Sequence, residues 1–252
     1  MALKVTYIGH ATTLIEWNGI RILTDPVFSS RVLCFKRIKP LSYDPTTLPK
    51  LDAIFLSHAH YDHLDLFSYK YFPGDIPIFV PEGMTKAIAP FVNNPVIELA
   101  TWARYSLSKD CEICAVPAQH PGGRFIYPFR YRKCHGYIVT MGKENIYFSG
   151  DITYSDLFKN LSQLFPIKLA ILSLAHSSQN WLLRSRHMNL DEVLQAWVDL
   201  GKPDWIPVHW GTFFRIFGDP HGMINQLKLK SELNPALKEK LHILEASESL
   251  TL

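Results

Sequence analysis

The sequence predicts an α/β chain: a sandwich of two mixed β-sheets with helices outside, built as one domain over residues 1–252. Three observations predict it. β-rich runs alternate with helical runs in both halves of the chain. Hairpin signals recur, the clearest being Asn18-Gly19 between "TTLIEW" and "RILTD". No low-complexity linker divides the 252 residues, a length that suits one large layered domain.

Taken in order, "KVTYIG", "TTLIEW" and "RILTD" are consecutive strands. The stretch from Asp25 to Lys50 is irregular, proline-bearing and basic, and reads as a long loop over the surface or beside a site. "DAIFLS" (52–57) is a short buried strand, and "HLDLFSYKYF" starts a helix after it. "IPIFV" (76–80) is a strand, "EGMTKAIAPFV" a helix, and "VIEL", "RYSLS" and "CEICAVPA" are strands. In the second half "GYIVTM" and "NIYFSG" pair around "GKE", followed by the helix "SDLFKNLSQLF" and the strand "KLAILSL". "MNLDEVLQAWVDLG" is a helix with Asn189 and Glu192 at capping-box spacing and Gly201 past its end. "DWIPVH" reads as the last strand and "GMINQLKLKSEL" as the last helix.

Composition is ordinary for a globular protein, with 47% hydrophobic and 19% charged residues, enough apolar material for a substantial core. A net charge of only +3 and the lack of a long basic arm argue against a nucleic-acid partner. No run of 18 apolar residues occurs and the N-terminus lacks a secretory hydrophobic region, so the expected location is the cytoplasm. Cys111 and Cys114 have metal-ligand spacing without a second pair, and on a strand their thiols point to opposite faces; they read as structural thiols.

The chemistry lies in the histidines. "FLSHAHYDHLD" (55–65) crowds His58, His60, Asp62 and His63 behind a buried strand. Three more β-runs finish in a metal-capable residue: "AVPAQ" at His120, "IYFSG" at Asp151 and "WIPV" at His209. Strand ends gather on one edge of a sheet, where loops build sites. In extended backbone His58 and His60 fall on one side and can grip one cation, while Asp62 and His63, after the turn, can address a second. Seven candidate ligands exceed what one tetrahedral ion uses, and suit two ions about 3.5–4 Å apart bridged by a carboxylate. Asp25, ending "RILTD", supports from outside the ligand set or caps the turn. His135, His176, His221 and His242 have no supporting neighbours.

These motifs give a resemblance. The chain resembles the metallo-β-lactamase superfamily, and within it the branch typified by N-acylphosphatidylethanolamine-hydrolysing phospholipase D and its bacterial relatives. "SHAHYDHLD" matches the superfamily's signature loop, and "PAQH", "SGD", "HMN" and "HWGTF" follow in that branch's order. The resemblance implies a four-layer αββα sandwich. It implies His58, His60 and His120 on a first metal, Asp62, His63 and His209 on a second, and Asp151 bridging them. With nitrogen and oxygen donors zinc is the first choice for the two divalent ions, with Mn2+ or Fe2+ as alternatives.

The expected enzyme is a metal-dependent hydrolase, foremost a phosphodiesterase of phospholipase D type using a metal-bridging hydroxide. The alternatives are a lactonase or ester hydrolase acting on a phosphorylated sugar acid, a nuclease, and a redox or metal-binding module; His60 argues against the redox class, which usually carries glutamate there. Asp62 orients the nucleophile as well as binding metal, and His187 contacts substrate or donates a proton. Arg124, Arg184, Arg186 and His10 are the substrate-binding candidates, the arginines as charge-assisted donors to a small-molecule or lipid phosphodiester. The basic-aromatic stretch "RFIYPFRYRK" (124–133) suits peripheral contact with a membrane. Pro121-Gly122-Gly123 replaces the aromatic residue frequent after His120 in relatives, and the segment before "HMN" lacks their proline, glycine and tyrosine. These departures touch the substrate pocket and leave the metal ligands intact.

Overall fold

Side chains alternate across a strand, so a strand covered on both sides must be apolar at every position. "AIFL" (53–56) and "IPIFV" meet that condition and lie inside a sheet. In the computed structural model, which describes residues 2–124, 133–175, 187–214 and 219–252, the first-half strands are β1 (Leu3–Gly9), β2 (Thr12–Trp17), β3 (Ile20–Thr24), β4 (Arg31–Val32), β5 (Phe35–Lys36), β6 (Ala53–Phe55), β7 (Ile78–Pro81) and β8 (Val96–Leu99). The rest are β9 (Arg104–Ser108), β10 (Cys111–Pro117), β11 (His135–Met141), β12 (Glu144–Phe148), β13 (Ile167–Ser173), β14 (Asp204–Val208) and β15 (Ser249–Thr251). The α-helices are α1 (Thr85–Ile88), α2 (Leu157–Leu164), α3 (Leu190–Asp199), α4 (Gly222–Glu232) and α5 (Pro235–Lys240).

Among the described residues the strands form a seven-stranded sheet, β15-β1-β2-β3-β6-β7-β8, a six-stranded sheet, β14-β13-β12-β11-β10-β9, and the small β4-β5 ribbon. Both large sheets are mixed: the outer hairpins are antiparallel, while β3-β6-β7-β8 and β12-β13-β14 are parallel. The two sheets face each other. Phe55 stacks on Tyr137 across the gap at 4.5 Å, and one apolar cluster joins Val5, Ile15 and Phe79 to Ile113 and Val139. Helices α2, α3 and α4 add Leu161, Trp197 and Leu227 to it. A second cluster covers the other face of the first sheet, where Ile54, Ile78 and Val80 meet Tyr69, Ala87 and Ile88. Ala53 and Phe55 belong to one cluster and Ile54 to the other, as period-two patterning requires. This is the αββα sandwich, with a thin outer layer on the first sheet.

Three expectations need correction. "HLDLFSYKYF" forms a 3-10 helix, Leu66–Tyr71, not an α-helix; the Asp65 carboxylate accepts from the Phe67 N–H at its start, and Pro73 follows its end. In "EGMTKAIAPFV" α1 lasts one turn before Pro90 enters a 3-10 turn, Ala89–Phe91. "DWIPVH" and "GMINQLKLKSEL" are not the last elements: α5 follows, with Asn234 as N-cap and Pro235 in its first turn, and β15 returns to pair antiparallel with β1.

Candidate metal centre

Strand direction brings the chemistry to one edge. β1, β3 and β6 run the same way in the first sheet, and β10, β12 and β14 in the second. His10 directly follows β1 and His209 directly follows β14; His58, His120 and Asp151 each come three residues after β6, β10 and β12. The sheets are tied together there. The His209 N–H donates to the His10 carbonyl at 2.8 Å and the His135 N–H to the Ser57 carbonyl at 3.0 Å. Gly150 lets the sheets close, because a Cβ on it would lie 2.5 Å from the Ser57 Cβ. His10, Asp25 and His209 take left-handed backbone, with φ of 59°, 32° and 69°. For residues other than glycine such a conformation costs about 1–3 kcal/mol and persists where surrounding structure imposes it.

The seven candidate ligands and His10 fall into two groups. The donor atoms of His58, His60, His120 and Asp151 all lie within 4.8 Å of one another, as do those of His10, Asp62, His63 and His209. Asp151 Oδ2 reaches both: it is 3.3 Å from His63 Nε2 and 3.4 Å from His209 Nε2, and 3.9 Å from the Nε2 of His58 and of His120. Its other oxygen is fixed by the Ser173 hydroxyl, which donates at 2.9 Å. The Nε2 atoms of His58, His63 and His209 are buried without a hydrogen-bond partner. Buried polar atoms are ordinarily satisfied, and a divalent cation satisfies an imidazole lone pair. Nitrogen and carboxylate donors in two groups sharing one oxygen fit a pair of such ions.

The charge state agrees. Burial and neighbouring imidazoles push His58 well below the ordinary histidine range, and burial takes His60 down to about 4. Burial, then His209, takes His10 down to about 3. Such rings are neutral at pH 7, the form that ligates metal. His63 goes the other way: burial opposes its charge, but Asp151 and Asp25 outweigh burial and raise it well above 6.5. Burial alone would protonate Asp62 and Asp151; the His10 hydrogen bond and the nearby His209 ring on the one, and the field of His209 and His63 on the other, hold both well below the usual carboxylate range.

Comparison with known proteins fits this geometry. The model of the beta-lactamase superfamily domain matches residues 20–210. The chain belongs to that superfamily. Over 221 residues it is 36% identical to the mitochondrial N-acyl-phosphatidylethanolamine-hydrolyzing phospholipase D of Saccharomyces cerevisiae, an alignment covering 82% of this chain and 47% of the yeast protein. The chain therefore spans about half the length of that relative. It is 31% identical over 262 residues to a UPF0173 metal-dependent hydrolase of Pyrococcus furiosus, covering 99% of both chains. Among solved structures, Igni18, a metallo hydrolase from Ignicoccus hospitalis, superposes with a TM-score of 0.76 at 21% identity over 100% of this chain and 99% of its own.

Within this superfamily sandwich, the structure brings all seven expected ligands together and sets His187 beside them, its Nδ1 3.8 Å from Asp151 Oδ2. Two substrate-binding expectations meet a different setting. His10 is only 3% exposed and its Nε2 lies 3.0 Å from Asp62 Oδ2. Arg124 is 8% exposed and turned inward, donating to the carbonyls of Ala59 and Leu64. Arg184, Arg186 and residues 125–132 of the basic-aromatic stretch lie outside the described residues. Asp25 supports the ligands from outside: its Oδ1 accepts from the Ser57 N–H at 2.7 Å, and its Oδ2 lies 2.6 Å from both Ser57 Oγ and His63 Nδ1. Sequence reasoning passed over Ser57 and Ser173, since a serine at a strand end carries no signal of its partner.

Proposed function

We propose that this chain acts as a single two-metal hydrolase domain over residues 1–252, and that its reaction is cleavage of a phosphodiester of the phospholipase D type. The observation that carries the two-metal reading is the shared oxygen, Asp151 Oδ2, set between two groups of donors. The phosphodiester reading is supported by the 36% identity to a relative named for hydrolysing N-acyl-phosphatidylethanolamine. His58, His60, His120 and Asp151 would hold one ion, and Asp62, His63, His209 and Asp151 the other, zinc being the first choice for this donor set. A pair of dications supplies Lewis acidity at the phosphoryl oxygens and a water of lowered pKa.

The chain's own groups do the positioning. Asp62, held ionised and braced by His10, presents a fixed acceptor that orients the attacking water. His187 stands at the site's open side, 20% exposed. Burial, only partly opposed by Asp151, takes it down to about 3, so at pH 7 its neutral ring offers an N–H to a phosphoryl oxygen. Protonating the leaving group from His187 requires the charge of the bound phosphodiester to raise that value. A lipid substrate brings the protein to a membrane surface as a peripheral cytoplasmic enzyme; among the described residues no helix is long and apolar enough to cross one.

Metal analysis of the purified chain tests the reading, with two ions per chain expected. The parent should hydrolyse bis-p-nitrophenyl phosphate and N-acyl-phosphatidylethanolamine, and Asp151→Ala should abolish both activities, since it removes a donor from both groups. One ion or none, or an active Asp151→Ala, sinks the two-metal reading. Turnover of lactones or RNA with inert phosphodiesters moves the substrate class and leaves the metal centre standing.

A further inference from the structure

Arg124 is the best-built charged group near the centre that this chemistry leaves unused. Its guanidinium sits beneath the motif loop, with Nε donating to the Ala59 carbonyl at 2.6 Å and Nη2 to the Leu64 carbonyl at 2.5 Å. Ala59 lies between His58 and His60, and Leu64 follows His63. One rigid planar fork therefore grips the loop on either side of His60, Asp62 and His63. Between those ends the Tyr61 ring lies over the guanidinium, 3.8 Å from ring centroid to Cζ, a stacking that a flat cation favours.

The same segment is fastened to the loop a second time. The Ala59 N–H donates to the Gly122 carbonyl at 2.9 Å. Gly122 has no room for a side chain: a Cβ would lie 2.2 Å from Cys134 Sγ and 2.8 Å from the His58 Cβ. Cys134 Sγ–H in turn donates to the His120 carbonyl at 3.1 Å. The Pro121-Gly122-Gly123 departure thus has a use: it allows the strand-end segment to pass close under the motif loop and deliver Arg124 to it.

We infer that Arg124 is a positioning residue that straps the motif loop to the His120 segment and so sets the spacing of the two metal groups, rather than a contact for the substrate phosphate. The inference rests on the two-metal reading. Each strand end is anchored by its own sheet, but Ala59–Leu64 is a turn outside both sheets, and its span is fixed by the fork. Removing the fork lets His60 and Asp62 drift while leaving every ligand present. Outer partners of metal ligands typically change metal affinity 10–100-fold.

The test is metal retention. Zinc-loaded parent, Arg124→Met and Arg124→Lys are mixed with excess chelator and zinc release is timed, beside KM and kcat on bis-p-nitrophenyl phosphate. Arg124→Met should release at least one ion about 10-fold faster or more, with kcat falling and KM nearly unchanged. Arg124→Lys, which keeps the charge but can reach only one carbonyl well, should lie between. Tyr61→Leu, a milder change, should also speed release and serves if Arg124→Met does not fold. A parent with two ions, unchanged release in all three variants and a raised KM would overturn the strap and return Arg124 to the substrate. A parent that binds no metal fails the two-metal reading itself, and the strap with it.

Discussion

Asp25 shows how one buried carboxylate organises a site it does not enter. It is fully buried, and its two oxygens take the Ser57 N–H, the Ser57 hydroxyl and His63 Nδ1–H. With its proton committed to Asp25, the Ser57 hydroxyl accepts from His58 Nδ1, at 2.9 Å. Both rings thereby keep Nδ1 as the donor and turn Nε2 to the centre, where both Nε2 atoms point to the shared Asp151 oxygen. Asp25→Asn keeps the shape and replaces one acceptor oxygen by a donor amide facing other donors. The expected result is about a 10–100-fold loss of affinity for the ion on the His63 side, with a smaller effect on the other. Zinc titration with a competing chromophoric chelator resolves the two; equal, unchanged affinities would show that Asp25 does not set the His63 ring.

At the scale of elements, the site depends on where strands stop, and that was largely legible: the β-runs before His58, His120, Asp151 and His209 are apolar, and a polar metal-type residue after each is hard to place otherwise. The helices were less legible. α3 was, because its capping box is a local pattern: the Asn189 side chain accepts from the Glu192 N–H at 3.0 Å and the Asn189 N–H donates to the Glu192 carboxylate at 2.8 Å. α5 and β15 were not, since a six-residue helix and a three-residue edge strand carry too little periodicity and are defined by the partners they meet, β15 by β1. The capping box fixes the turn that delivers His187, two residues before the cap. Asn189→Ala should cost about 1 kcal/mol of stability, read by urea denaturation, and should loosen His187 so that kcat falls while both ions remain. A loss of stability without any change in kcat would separate the cap from the chemistry.

For the whole molecule, the cost of gathering so many titratable groups in one interior can be read from its pH response. The gathering of candidate ligands was legible in the sequence because each member has metal-type chemistry; the opposed charge states were not, because they arise only once the sheets bring the groups together. His10 and His187 are lowered to about 3 and His60 and His135 to about 4, in each case chiefly by burial, and His58 lies well below the ordinary range for the same reason. An unfolded chain takes up a proton on each of these below a pH of about 6.5, while the folded chain refuses it until the pH is well below that, about 4 for His60 and His135 and about 3 for His10 and His187. The unfolded state then binds more protons, so stability falls as pH drops, by up to roughly 1.4 kcal/mol per pH unit for each such group. His63 has the opposite sign: raised by Asp151 and Asp25 against burial, its contribution is fully present below about 6.5 and is lost as pH rises through its folded value. Asp62 and Asp151, both lowered, contribute stability that is present above about 3.8 and is lost as pH falls from there through their folded values. Five groups outweigh one, so thermal melts of the chelator-treated chain should show the midpoint dropping steeply between pH 6.5 and 4. Adding zinc at pH 7.5 should raise the midpoint, because an ion in place of the His63 proton binds the folded chain alone. A metal-free chain whose midpoint is flat from pH 6.5 to 4 would mean that these rings are not buried neutral together, and the sandwich edge described here would have to be open to water.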